Sequence, residues 1–148
     1  MPDQIIAIIV ILGLVLLFMI PNFKIVRINE VKIVERLGKF HKLLDTPGIH
    51  FIVPLIDRDI QTVNLEKQHI KTKLKLEINE INVDVLLSYD MRVIDAKTFV
   101  YAALDSMKVI HEYILSALES DIDYDTIIDE TIPYAVEFGV EIENMQIK

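Results

Sequence analysis

The sequence predicts an α+β domain carried behind an N-terminal membrane helix. Three observations predict it. Residues 5–20, IIAIIVILGLVLLFMI, contain fifteen hydrophobic residues, one glycine and no polar side chain. Val83, Val85, Leu87, Tyr89, Met91 and Val93 alternate with Asn82, Asp84, Leu86, Ser88, Asp90 and Arg92, and a period of two over that length is a strand with one buried face. Strands come first, helical stripes follow, and one strand closes the chain; that order belongs to α+β domains rather than doubly wound parallel sheets.

Composition agrees. The 148 residues are 52% hydrophobic, with 26% charged. Outside residues 5–20, 62 of 132 residues are hydrophobic, or 47%, as in an ordinary globular domain. A disordered chain, a collagen-like chain and a multi-span channel or transporter are excluded. With no cysteine, disulfides, thiolate metal sites, cysteine nucleophiles, iron–sulfur clusters and S-palmitoylation are excluded too. The formal charge of −8 is uneven: residues 99–148 hold eleven acids against two cations. A nucleic-acid-binding domain shows a basic patch without such an acidic half, so nucleic acid is not an expected partner.

The apolar run makes a helix about 24 Å long, slightly short of the ~30 Å hydrocarbon core. Pro21 and Phe23 extend it into the interface. A cleaved secretory signal needs a basic n-region and a small-residue cleavage site; here the N-terminus offers Asp3, and Pro21-Asn22-Phe23-Lys24 follows the run. An uncleaved anchor is expected over residues 1–23, with Ile5, Ile9, Leu12, Leu16 and Ile20 facing lipid. Lys24, Arg27, Lys32, Arg36, Lys39 and Lys42 follow, against Glu30 and Glu35. By the positive-inside rule, residues 24–148 face the cytoplasm. Those six cations either hold the domain against anionic lipid, at about 1 kcal/mol each near the surface, or only set topology.

The run FKIVRINEVKIV reads as two β-rich segments about Asn29-Glu30, hence a hairpin. Gly38 marks a turn or bulge, and Thr46-Pro47-Gly48 a turn in which proline presets φ and glycine accepts positive φ. Ile49 to Val53 form a strand that Pro54 stops or pushes to an edge. Val63 and Leu65 belong to the next strand. Leu74, Leu76 and Ile78 alternate with Lys73, Lys75 and Glu77, and the parity changes at Asn79-Glu80, as a two-residue hairpin turn requires; a longer loop is the other option. Asp95 caps a helix over 96–104. Ser106 caps a second, with Met107, Ile110, Ile114 and Leu118 as its stripe. Residues 132–138 form a short third helix, Pro133 in its first turn and Gly139 its terminator. Val140 and Ile142 open a last strand, in which Asn144 shifts the apolar phase to Met145 and Ile147, as a bulge would.

These elements resemble the SPFH (band 7) family of stomatins, slipins, prohibitins and flotillins. The residues that carry the likeness are Arg36-Leu37-Gly38-Lys39, the run from Pro47-Gly48 through Pro54 to Asp57-Arg58, the alternating strand with Arg92-Val93-Ile94-Asp95, and the closing Gly139 to Lys148. The likeness covers roughly residues 1–148 and is stomatin/slipin-like. It implies a curved, antiparallel-rich sheet with packed helices over residues 24–148, and Arg36, Leu37, Gly38, Pro47, Gly48, Pro54, Asp57 and Arg58 as family-motif positions. It also predicts a longer helical stretch between Leu118 and Gly139 than the sequence offers. Stomatins often carry a proline inside a membrane hairpin; with Pro21 at the end of the run, a single pass is expected. The family usually continues into a C-terminal coiled coil, which this chain is expected to lack.

No chemistry-bearing constellation emerges. His111-Glu112 begins like a zinc-protease helix, but Leu115 stands where the second histidine belongs. Asp121, Asp123 and Asp125 imitate a calcium loop, but Thr126 and Ile132 replace its glycine and glutamate; an acidic loop capping the next helix is the simpler reading. There is neither a phosphate loop nor a serine elbow. The expectation is no enzyme, no cofactor, no metal and no small-molecule substrate. The resemblance implies a scaffold in the plasma or inner membrane that self-associates and organises membrane proteins and lipid microdomains. Its partners are the bilayer and either its own copies or other membrane proteins. The alternative is an anchored adaptor that binds one membrane protease or channel without higher assembly.

Overall fold

Helix α1 (Pro2–Met19) runs into a 3-10 turn at Ile20–Asn22. With mean hydropathy 2.9 over Asp3–Asn22 and none of that window buried, it is long and apolar enough to cross a membrane by length and composition. Pro21 is the second residue of the 3-10 turn. Asn22 Nδ2 donates to the Phe18 carbonyl at 2.8 Å, satisfying one of the acceptors that every helix end leaves open.

The computed structural model describes residues 2–78, 81–120 and 122–148. Its contacts divide into two units, Met1–Val63 and Asn64–Lys148. Beyond α1, the first unit holds β1 (Phe23–Val26), β2 (Glu30–Arg36), β3 (Lys39–Leu44), β4 (Gly48–Phe51) and β5 (Asp57–Asn64). They form a β1-β4 ribbon and a β3-β2-β5 sheet. Val26, Val34, Leu44 and Ile52 make one buried cluster joining the two, each side chain contributing roughly 1.5–3 kcal/mol by leaving water.

The expected first hairpin does not form. β1 pairs with β4, not β2. Glu30 N–H bonds the Arg27 carbonyl at 3.2 Å, and of the two central turn residues Asn29 has a positive φ, 62°. A turn with that pattern is of the unprimed kind, which splays its flanking strands instead of pairing them. The true hairpin is β2-β3, closed by Leu37 and Gly38 at φ 51° and 78°. Two consecutive positive φ values are the primed turn that matches strand twist.

The second unit sets β6 (Gln68–Ile78), β7 (Ile81–Val93) and β8 (Val140–Ile147) in an antiparallel sheet of order β6-β7-β8. The turn expected at Asn79-Glu80 lies outside the described residues; Ile78 pairs with Ile81 on either side of it. The inward face carries Leu74, Leu76, Val85, Leu87, Tyr89 and Ile142, all buried. Helices α2 (Ala96–Tyr101), α3 (Ser106–Glu119) and α4 (Tyr124–Val136) follow β7. Asp95 caps α2 through Lys97 and Thr98 N–H, but α2 ends three residues short of the expected 104. The α3 cap is Asp105, accepting from Lys108 N–H, not Ser106; Ser106 is buried and donates to the Phe99 carbonyl at 2.7 Å.

The expected short helix at 132–138 is instead the last turns of α4, thirteen residues long, with Pro133 inside it. Asp123 and Asp125 therefore sit at a helix start rather than in a metal loop; Asp121 lies outside the described residues. With α3, this helix fills the stretch between Leu118 and Gly139 that the sequence seemed to leave short. Its buried stripe is Ile127, Thr131 and Ala135.

The bulge in β8 is present. Glu143 pairs with Asp90 and Gln146 with Ser88, so Asn144 and Met145 share the space opposite Tyr89. Asn144 has φ 52° and its amide donates to Asp90 Oδ2 at 2.8 Å.

Tyr89 and His111 tie sheet to helix through a 2.8 Å bond between the hydroxyl and Nε2. Burial pushes the Tyr89 hydroxyl up to about 12 and His111 below its usual 6.5. A depressed histidine means the folded state binds fewer protons than the unfolded one, so its contribution is present above the unfolded value and lost as pH falls through the lower folded value. In detergent, the melting temperature should drop as pH falls below the ordinary histidine value of about 6.5, and His111→Gln should flatten that slope. An identical slope in the variant would exclude His111 as the source.

Candidate membrane interface

The β1-β4 ribbon has two unlike faces. Strand alternation puts Lys24 and Val26 toward the first unit's interior, where Val26 is buried. The opposite face holds Phe23, Ile25, Ile49 and Phe51, with Phe23 opposite Phe51 and Ile25 opposite Ile49. All four are exposed, Ile25 by 66% and Ile49 by 73%. The Phe23 and Phe51 rings lie 5.3 Å apart. An outward face of four large apolar side chains is uncommon on a water-soluble strand pair.

This face stands at the C-terminal end of helix α1. Ile52 N–H bonds the Asn22 carbonyl at 3.0 Å, so β4 ends beside the 3-10 turn. The chain then loops through Val53, Pro54, Leu55 and Ile56. Leu55 has φ 66° and is 89% exposed, and Leu37, at φ 51°, is 79% exposed. Leu37 N–H bonds the Ile56 carbonyl at 3.0 Å, placing the two leucines on adjoining loops. Leucine at positive φ costs roughly 1–2 kcal/mol, so each tip needs a support.

Asp57 is that support. Arg36 Nε donates to Oδ1 at 2.7 Å and its terminal nitrogen to Oδ2 at 3.0 Å. Val53 N–H donates to Oδ2 at 3.0 Å, and Asp57 N–H bonds the Val53 carbonyl at 2.9 Å. The loop from 53 to 57 is thus closed twice and pinned to the end of β2. The Arg36 guanidinium holds the Asp57 carboxyl well below the usual carboxylate range, with the Val53 amide helping and desolvation opposing. Arg36, Leu37, Gly38, Pro54, Asp57 and Arg58 therefore meet in one place. Pro47 and Gly48 lie at the far end of the ribbon, where Gly48 has φ 137°.

Ile5, Ile9, Leu12, Leu16 and Ile20, the residues expected to face lipid, are all exposed. Of the six cations that follow, four have partners within the first unit. Lys24 pairs with Asp59 at 3.0 Å and Arg27 with Glu30 at 3.8 Å. Lys32 donates to Thr62 Oγ1 at 2.8 Å, and Arg36 holds Asp57. Lys39, exposed, and Lys42, half-buried, have none among the described residues. The apolar ribbon face and the leucine tips were missed from sequence. Their signal is the matched parity of Phe23/Ile25 and Ile49/Phe51, which alternation alone could have given. Among the described residues, no three His, Asp or Glu side chains converge as a metal site needs.

Comparison with known proteins gives two findings. The family described as SPFH domain / Band 7 family matches residues 24–137. The chain is also similar to the Stomatin-like protein stl-1 of Caenorhabditis elegans, 30% identical over 107 residues, which is 69% of this chain and 33% of that protein. The chain thus aligns with about a third of that relative's length.

Proposed function

Because the chain belongs to the SPFH domain / Band 7 family and carries an N-terminal helix apolar enough to cross a membrane, we propose that it is a stomatin-like, non-enzymatic membrane scaffold. It self-associates and organises or regulates membrane proteins and lipid microdomains. The anchor, residues 1–23, passes once through the bilayer, and residues 24–148 face the cytoplasm, as the excess of Lys and Arg after the anchor favours.

The observation that carries the membrane part of this reading is the apolar face at the anchor's root. Phe23, Ile25, Ile49 and Phe51 rest in the interfacial lipid, and Leu37 and Leu55 dip into it. A domain held by both a helix and a ribbon face has a fixed orientation, which a scaffold needs to present the same surface to every neighbour. Four of the six juxtamembrane cations are already partnered, so apolar contact rather than headgroup charge dominates the second attachment.

The absence of native cysteine makes the test direct. An environment-sensitive dye on Leu55→Cys or Leu37→Cys should shift to the blue in membranes and be quenched by lipid-borne quenchers. The same dye on Ala102→Cys, an exposed position of the second unit, should report water. A water-like spectrum at both leucines would end the membrane-contact reading. Self-association is checked separately, by the size of the intact protein in mild-detergent extracts. One heteromeric product would favour the adaptor.

A further inference from the structure

The second unit carries opposite charges on its two outer faces. Residues 112–147 contain ten acidic residues and no lysine or arginine. Several acids are engaged: Glu112 with Lys108, Glu141 with Arg92, Glu143 with Lys67, and Glu130 with the Tyr113 hydroxyl. Glu119, Asp123, Asp125, Asp129 and Glu137 are exposed and have no ion pair among the described residues. They line the outside of the α3-α4 layer. Two are set against their own helices: Glu119 is the last residue of α3 and Glu137 the C-cap of α4, where the helix dipole disfavours negative charge. Local stability does not account for them.

The other side of the unit is the outward face of the sheet. Register puts Lys71, Lys73 and Lys75 of β6 opposite Ser88, Leu86 and Asp84, away from the inward Leu74 and Tyr89. The backbone of Lys148 bonds Leu86 in both directions, at 2.7 and 2.9 Å, bringing a fourth lysine to the same end. Leu86 is 48% exposed between them. Among the described residues none of the four lysines is in an ion pair, and Asp84 does not close one with Lys75. The opposite end of this face is the reverse case, since there Lys67, His69, Arg92 and Asn144 satisfy Asp90, Glu141 and Glu143.

We propose that the lysine face around Leu86 is the docking surface for the acidic α3-α4 face of a second copy of this chain, a deepening that rests on the self-association proposed above. The two faces lie on opposite sides of one two-layer unit, so one copy cannot satisfy both by itself. Joining unlike faces is a heterologous contact, which repeats from copy to copy and closes into a ring or runs on as a filament. Lysines along an edge strand also block strand-on-strand extension, leaving helix-on-sheet contact as the available geometry. Membrane anchorage keeps all copies at one height, raising their effective concentration for so polar a contact.

The test uses the full chain in membranes, extracted in mild detergent and sized by native electrophoresis. One variant combines Glu119→Lys, Asp129→Lys and Glu137→Lys, and a second combines Lys71→Glu, Lys73→Glu and Lys75→Glu. Each alone should lose species above the dimer by at least about tenfold. Co-expressed, the two have complementary faces again and should recover the wild-type pattern. Two of the three substitutions in the first variant place lysine at the ends of α3 and α4, where the dipoles favour it, and Asp129 is exposed, so a melt equal to wild type separates loss of assembly from loss of folding. If wild type assembles and either variant assembles equally well, or if the mixture fails to recover, the contact is wrong while the scaffold reading stands. A wild type that is monomeric overturns both.

Discussion

Gly139→Ala is expected to destabilise the second unit by about 3 kcal/mol, lowering its melting temperature by more than about 10 °C. Gly139 has φ 72°, a conformation that costs any residue with a Cβ. A Cβ added there would press into the Asp95 carbonyl oxygen and come within 3.0 Å of Phe99 N. Both are backbone atoms of the α2 start and cannot swing aside. The same residue ends α4, its N–H bonding the Val136 carbonyl at 2.9 Å, and its own carbonyl accepts Ile94 N–H at 2.9 Å and Asp95 N–H at 3.2 Å. Moving Gly139 to relieve the clash disturbs the end of β7, the cap of α2 and the start of β8 together. Gly13→Ala, with nothing within 4 Å of its added Cβ, should leave the melt unchanged. A loss under about 1 kcal/mol for Gly139→Ala would mean that the α2 start yields more easily than its three hydrogen-bonded neighbours imply.

Asp57→Ala should release the two loops of the first unit that carry Leu37 and Leu55. The substitution leaves the Arg36 guanidinium without its two carboxylate bonds and Val53 N–H without an acceptor. Leu37 and Leu55 then lose the frame that holds them at positive φ. Amide exchange over residues 53–57 and at Leu37 should rise by about tenfold or more, and a dye at position 55 should lose most of its blue shift in membranes. The pH dependence has a definite sign. Asp57 is held below its unfolded value, so the folded state binds fewer protons, the stabilisation is complete above about pH 4, and it fades as pH falls through the lower folded value. Asp57→Asn should abolish that acid-dependent fading while losing stability at neutral pH. Unchanged exchange in Asp57→Ala would show that backbone bonds alone hold the loop.

What the sequence made legible follows the range of the interactions. The α1 run, the alternation of β7 and the phase shift at Asn144 are written in neighbouring residues, and each is present as expected. The pairing of β1 with β4 joins residues about 25 apart, and nothing near Asn29 announces it; the adjacent β2 was the better local partner. The Arg36–Asp57 bond spans 21 residues, so the motif was visible while its purpose was not. α4 was lost for a different reason. Proline favours a first helical turn, so Pro133 drew the start eight residues late, although Ile127, Thr131 and Ala135 already spelled an i, i+4, i+8 stripe. Ser106 and Asp105 are both good caps, and the choice between them was made by tertiary packing, which draws the Ser106 hydroxyl to Phe99.

The unpaired Asn144 gives the last strand a spare tooth. Because two residues of β8 share the place opposite Tyr89, a chain lacking Asn144 would set Met145 opposite Tyr89, Gln146 opposite Ser88 and Ile147 opposite Leu87, the partners that Gln146 and Ile147 already have. Loss of one codon at this point leaves the inside–outside sense of the strand intact, at the expense of the Asp90 contact. Outside the Asn144-Met145 pair the same loss in β8 would turn neighbouring side chains to the wrong face. Length variation among descendants of this chain therefore has a permitted address within the strand itself, not only in its loops.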